Sequence, residues 1–92
     1  MIKSFRDKDT EALFNGRRVR KFSGFASQAE KRLVILEAAT CLKDLSGLPG
    51  NRLEILKGDR KGQFSIRINE QWRICFEWID GNAENVEIVD YH

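Results

Sequence analysis

From Phe64 onward the chain alternates between apolar and polar positions. Phe64, Ile66 and Ile68 are separated by Ser65 and Arg67, and Trp72, Ile74, Phe76 and Trp78 by Arg73, Cys75 and Glu77. A period of two belongs to a strand with one buried face. Asp80-Gly81-Asn82 is a hairpin signal, and Val86, Ile88 and Val89 complete a last strand that runs into Asp90-Tyr91-His92. Leu53 to Leu56, ended by the polar run KGDRKGQ, reads as a strand before these three. Upstream the period lengthens: Leu33, Leu36, Ala39, Leu42 and Leu45 recur at helical spacing. Ser27-Gln28-Ala29-Glu30 has the form of a capping box for that helix, and SGLPGN at 46–51 stops it. A shorter helix is expected between an N-cap at Asp7 and the pair Asn15-Gly16, after a β-compatible stretch from Ile2 to Phe5. The expected order is β-α-α-β-β-β-β. This is an α+β fold in which N-terminal helices pack on one face of a small antiparallel sheet.

Alternation also assigns faces. If Phe64, Ile66 and Ile68 and the Trp72–Trp78 series turn toward the helices, Arg67 and Arg73 stand on the opposite, open face. An arginine inside WRICFEW either serves a site there or pairs across strands with Glu70, Glu77 or Glu87. The hairpin at 80–82 makes the outer ends of its two strands neighbours, so Asp90, Tyr91 and His92 are expected close to Trp72 and Arg73.

The 92 residues, 41% hydrophobic and 33% charged, suit one folded domain spanning 1–92. The longest apolar runs are too short for a membrane helix, and Met1-Ile2-Lys3-Ser4-Phe5-Arg6 is too polar for a signal peptide. A cytoplasmic protein without a membrane partner is expected. Cys41 and Cys75 fall in different elements and inside apolar patterns, which suggests two buried, reduced thiols, and with one histidine they form no metal-ligand cluster. No cofactor is expected. The net charge of +2 is small, but residues 1–26 hold seven basic and three acidic side chains, with Arg17, Arg18, Arg20 and Lys21 concentrated in GRRVRK. Such a run is either a phosphate-binding stripe or a solvated loop.

The inventory near the chain's last residues suits RNA cleavage by the substrate's own 2′-hydroxyl. His92, Asp90 and Tyr91 can transfer protons, arginine and lysine can hold an anionic transition state, and Tyr91 offers a ring to an unstacked base. Here the residues resemble a family. ILKGDRKGQFSIRINEQWRICFEW, followed by VEIVDYH and preceded by an opening MIKSF, is similar to the HigB branch of the RelE-like toxins of bacterial toxin–antitoxin pairs. The resemblance runs over the whole chain. It implies a RelE-like fold and a ribosome-dependent mRNA interferase that cuts messenger RNA in the A site of the 70S ribosome. It also implies a HigA-like helix-turn-helix antitoxin, through which alone operator DNA would be bound.

By the same resemblance Lys57 contacts the scissile phosphate and Arg73 stabilises the transition state. Asp90, Tyr91 and His92 match the family's terminal triplet for proton transfer and substrate positioning. Arg17, Arg18, Arg20, Lys21, Arg60 and Arg67 are the expected RNA or ribosome contacts. Glu54 departs from relatives that carry histidine there. Lys57 shares strand parity with Leu53 and Ile55, so only a twist or bulge brings it to the open face. Two other readings stay open on the residues alone. A non-catalytic inhibitor would leave the ribosome-bound message intact, and an antitoxin-binding co-repressor would leave growth unaffected.

Overall fold

The structure, a computed structural model, describes residues 1–90. It has three short α-helices, α1 (Lys8–Phe14), α2 (Ala26–Ala38) and α3 (Leu42–Ser46), followed by four strands, β1 (Glu54–Ile55), β2 (Gln63–Arg67), β3 (Trp72–Ile79) and β4 (Asn82–Asp90). The strands form an antiparallel meander in the order β1-β2-β3-β4. The Ile2–Phe5 stretch adds only isolated parallel bridges to β4, Ile2 to Ala83 and Phe5 to Val86.

The expected parity holds on the helix side. Ile66, Ile74, Phe76, Val86 and Ile88 bury against Leu13, Phe22, Ala29, Leu33, Leu36 and Leu45. Removing a buried leucine side chain from such a core costs about 2–5 kcal/mol. Two left-handed residues, Asp80 at φ 51° and Gly81 at φ 79°, make the tight turn between β3 and β4. β4 then carries a bulge: Cys75 pairs with Glu87 but Glu77 pairs with Glu84, so β4 holds one extra residue. Asn85, at φ 52°, absorbs it. Without that residue Ala83 and Val86 could not both face the core, because their odd spacing would send one of them outward.

The helical half departs from simple periodicity. Asp7 caps α1 as expected, accepting from the Thr10 backbone N–H at 3.0 Å, and the buried Thr10 hydroxyl in turn accepts from the Ile88 N–H at 3.1 Å. α2, however, starts at Ala26, ahead of the SQAE box. A 3-10 helix over Arg20–Phe25 leads directly into it, so Ser27 lies inside the helix and caps nothing. The Leu33–Leu45 series is also split. Ala39 is extended at ψ 137°, and Asp44 accepts from both the Thr40 N–H at 2.9 Å and the Thr40 hydroxyl at 3.0 Å. This local cap competes with helix continuation, and the chain turns there.

Candidate active site

Arg73 stands near the start of β3, opposite Arg67 on β2 and Val89 on β4. Its parity takes it away from the helices, yet it is only 7% exposed. Its Nε donates to Ser65 Oγ at 2.7 Å, and its Nη2 donates to the carbonyl oxygens of Arg52 and Ser65. The Glu54 carboxylate on β1 lies 3.3 Å from the same Nη2. A guanidinium taken out of water is tolerated only when its donors are engaged and its charge is countered. Ser65, directly across the ladder from both Glu54 and Cys75, is fully buried to meet that need. Arg52 contributes through its backbone. It ends the 3-10 turn Pro49–Asn51 in the left-handed region at φ 43°, a conformation that costs a non-glycine residue about 1–3 kcal/mol. Its carbonyl is thereby aimed at Arg73.

These groups border a polar cleft of about 420 Å³ lined by Arg52, Leu53, Glu54, Arg67, Asn69, Glu70 and Arg73. The β2–β3 turn forms one wall. Asn69 Oδ1 accepts from the backbone N–H groups of Gln71 and Trp72, both at 2.8 Å, and Arg67 Nε donates to the Asn69 carbonyl at 3.1 Å. Three arginines and two glutamates therefore border one concave space. That arrangement can bind an anion and hold a proton acceptor beside it.

The expected site residues are distributed unevenly. Arg67 and Arg73 share the cleft. Asp90 pairs with Trp72 at the same end of the sheet, but on Trp72's face, where it accepts from Gln71 Nε2 at 3.0 Å. Arg60 reaches over the open face to Gln63 Oε1 at 3.1 Å and Glu87 Oε1 at 3.2 Å. Lys57 is exposed and lies beyond the strand, which closes at Ile55, where it caps the 3-10 turn Gly58–Arg60. Its parity in a longer strand is thus moot. Ile55 is 73% exposed at the sheet edge, where it turns no face to the core. Tyr91 and His92 lie outside the described residues.

The basic run stands apart from the cleft. Arg18 and Arg20 border a separate surface hollow with Ser23, and Arg17 and Arg18 border a further one. Lys21 pairs with Asp9 at 3.1 Å. The two regions are nonetheless coupled through rings. Phe25 stacks on Trp72 at 4.7 Å between centroids and Phe22 meets it edge-on at 6.0 Å, so the 3-10 helix that begins at Arg20 is seated on the residue before Arg73.

Glu54 and Ser65 carry roles that alternation alone had not assigned. Ser65 was legible as an outward residue between Phe64 and Ile66, but its burial depends on Arg73 covering it. The nearby Cys75 is buried as expected, and burial pushes its thiol above the ordinary range despite Arg60 and Arg73. Cys41, expected to be buried too, is exposed because the helix it was assigned to breaks at Ala39.

The family model for the RelE-like toxin HigB of type II toxin–antitoxin systems matches residues 3–92. Toxin HigB-1 of Vibrio cholerae is 39% identical over 87 residues, covering 92% of each chain. Endoribonuclease HigB of Proteus vulgaris is 36% identical over 96 residues, covering each chain in full. Among solved structures, the YoeB–YefM complex from Staphylococcus aureus contains a chain that superposes with a TM-score of 0.58 at 18% identity, covering 100% of this chain and 98% of that one. The YoeB dimer from the same organism gives 0.56 at 19%, covering 99% and 97%. At such identities these two bear on the fold alone.

Proposed function

This chain belongs to the RelE-like HigB toxins of type II toxin–antitoxin systems, and from that premise we propose that it is an endoribonuclease that cuts messenger RNA in the ribosomal A site and so stops translation. The observation that carries the reading is Arg73, buried and fixed by Ser65, Arg52 and Glu54 at the wall of a polar cleft. A guanidinium locked before substrate arrives needs no reorganisation when charge develops on a phosphorane, which is where such groups act most strongly.

The nucleophile belongs to the RNA. A base removes the 2′-hydroxyl proton, the 2′-oxygen bonds to phosphorus, and the P–O5′ bond breaks. The products are a 2′,3′-cyclic phosphate and a 5′-hydroxyl that has taken a proton from an acid. Glu54 is the carboxylate beside Arg73 and takes the role of base in this scheme. His92, with Tyr91, supplies the leaving-group proton and positions the base of the nucleotide, while Asp90, which lies on Trp72's face, steadies the end of β4 through Gln71. Lys57 and Arg67 hold phosphate, and Arg60 steadies the sheet face through Glu87. Arg17, Arg18, Arg20 and Lys21 anchor the protein on ribosomal RNA. A HigA-like antitoxin is the partner, and it alone mediates contact with operator DNA.

Primer extension on a translated message, with and without ribosomes, tests the reading. Wild-type protein should leave new 5′ ends only when ribosomes are present, and Arg73→Ala should leave none. An intact message in a translation reaction that the protein has nonetheless arrested would replace cleavage by simple blockade.

A further inference from the structure

The cleft continues past the sheet. Arg52, Arg67, Asn69 and Glu70 also line a second groove of about 560 Å³, which runs on to Gln28 and Arg32 of α2 and to Pro49 and Gly50. Charge shifts along the way. The first cleft sets three arginines against Glu54 and Glu70, whereas the second sets three against Glu70 alone.

Arg32 is built into this groove. Its Nη1 donates to Asn51 Oδ1 at 2.6 Å, and Asn51 is fully buried, its own Nδ2 tied to the Leu45 carbonyl at 3.0 Å. On the other side Gly50 makes room, since a Cβ there would lie 2.8 Å from Arg32 Nη2. The guanidinium is therefore seated against bare backbone by a buried anchor. Among the described residues no carboxylate pairs with Arg32 or Arg52. A solubilising arginine has no need of a buried partner or a glycine seat. One that receives an anion gains from both, because its rotamer entropy is already lost before binding.

We propose that this groove is a second phosphate subsite, in which Arg32 and Arg52 hold the backbone of an RNA nucleotide flanking the one cut beside Arg73. The inference rests on the endoribonuclease reading and deepens it. The substrate is then gripped at two phosphates, on either side of the β2–β3 turn.

The test uses the full chain in excess over ribosomes programmed with a translated message, and reads the half-saturating toxin concentration and the saturated cleavage rate. Arg32→Gln removes the charge but can still donate to Asn51. Gly50→Ala keeps the charge and displaces the guanidinium, at a backbone angle any residue adopts. Both should raise the half-saturating concentration roughly tenfold, the usual scale for one charge-assisted hydrogen bond. Both should also flatten its dependence on KCl, while the saturated rate holds and Arg32→Lys recovers part of the loss. Variants that saturate at the wild-type concentration overturn the subsite and leave the nuclease standing. A loss confined to the saturated rate overturns it too, because Arg32 would then act on the reacting centre. If the wild-type protein cuts no message at all, the nuclease reading falls and the subsite with it.

Discussion

In the proposed function Arg73 is both structural and chemical. Its donors are shared between Ser65, the Arg52 carbonyl and Glu54, which explains how a charge survives at 7% exposure. Lysine cannot reproduce that fork, because an ammonium is a single point of donors on a flexible stem. Both Arg73→Ala and Arg73→Lys are therefore expected to lower single-turnover cleavage about 10²–10³-fold, the scale for losing a preorganised donor. A lysine variant that cuts at the wild-type rate would remove the geometric argument. Glu54→Gln separates two roles of the carboxylate. The amide keeps the size and can still accept from Arg73 but no longer counters its charge, so denaturant unfolding should show a loss of stability, while the rate falls by about 10²–10⁴, as for loss of a general base. A variant of undiminished rate passes the base role to another group. Ser65→Ala is the complementary change: it strips a buried acceptor from Arg73 and should cost about 1–3 kcal/mol of stability by denaturant unfolding.

At the scale of elements, short segments are held by single polar contacts where helical or strand regularity ends. Asp44 ties the start of α3 to Thr40, and the hydrogen bonds from the Thr40 backbone and hydroxyl hold its carboxyl below the usual range. The sign follows from which state binds the proton more weakly. The folded carboxyl titrates lower than the unfolded one, so its contribution is present above the unfolded value and is lost as pH falls through the folded one. Asp44→Ala should therefore lower Tm near neutral pH, and the gap from wild type should close on acidification. A gap that stays constant with pH would assign the effect to helix propensity. Cys75 gives the opposite case. Its buried thiol titrates high, so the unfolded chain releases the proton first and stability declines as pH rises through the ordinary thiol range. In a native protein the exposed Cys41 should react with a thiol reagent at once, and Cys75 only on unfolding. Simultaneous labelling of both would contradict the burial of β3.

On the scale of the whole molecule, two cationic regions lie at different places and are joined by packing. The cleft is formed by β1, β2 and β3, while the Arg17–Lys21 run lies between α1 and α2. Phe22 and Phe25 connect them by clasping Trp72. Charge removal should distinguish them. Neutralising Arg17, Arg18 and Arg20 together should weaken ribosome association and reduce its salt slope by about 0.7 for each RNA phosphate that the protein ceases to neutralise, with the rate on bound ribosomes retained. An unchanged slope in sedimentation binding would make this run a solvated loop. Phe25→Ala should disturb both regions, because it removes the ring stacked on Trp72 and about 3–5 kcal/mol of core packing.

Some of this was determined by the order of residues. The alternation from Phe64 to Trp78 and the Asp80-Gly81 turn specify an antiparallel ladder, because the side-chain period and the turn's left-handed angles admit little else. The face of Arg73 and the arrival of Asp90 beside Trp72 follow from that ladder, and the family was legible from the C-terminal motifs. The break at Ala39 was not, since a leucine every three residues cannot reveal that Asp44 will bond Thr40 in preference to a further turn. Nor was the role of SQAE, which depends on the preceding 3-10 helix being pinned by Trp72. The cleft itself belongs to tertiary structure. Arg52 and Glu54 come from one segment and Ser65 and Arg73 from two others, and only the β1–β2–β3 register and the left-handed turn at Arg52 bring two carbonyls, one hydroxyl and one carboxylate around a single guanidinium. Periodicity decides which way a side chain points; what it meets there is decided by long-range pairing.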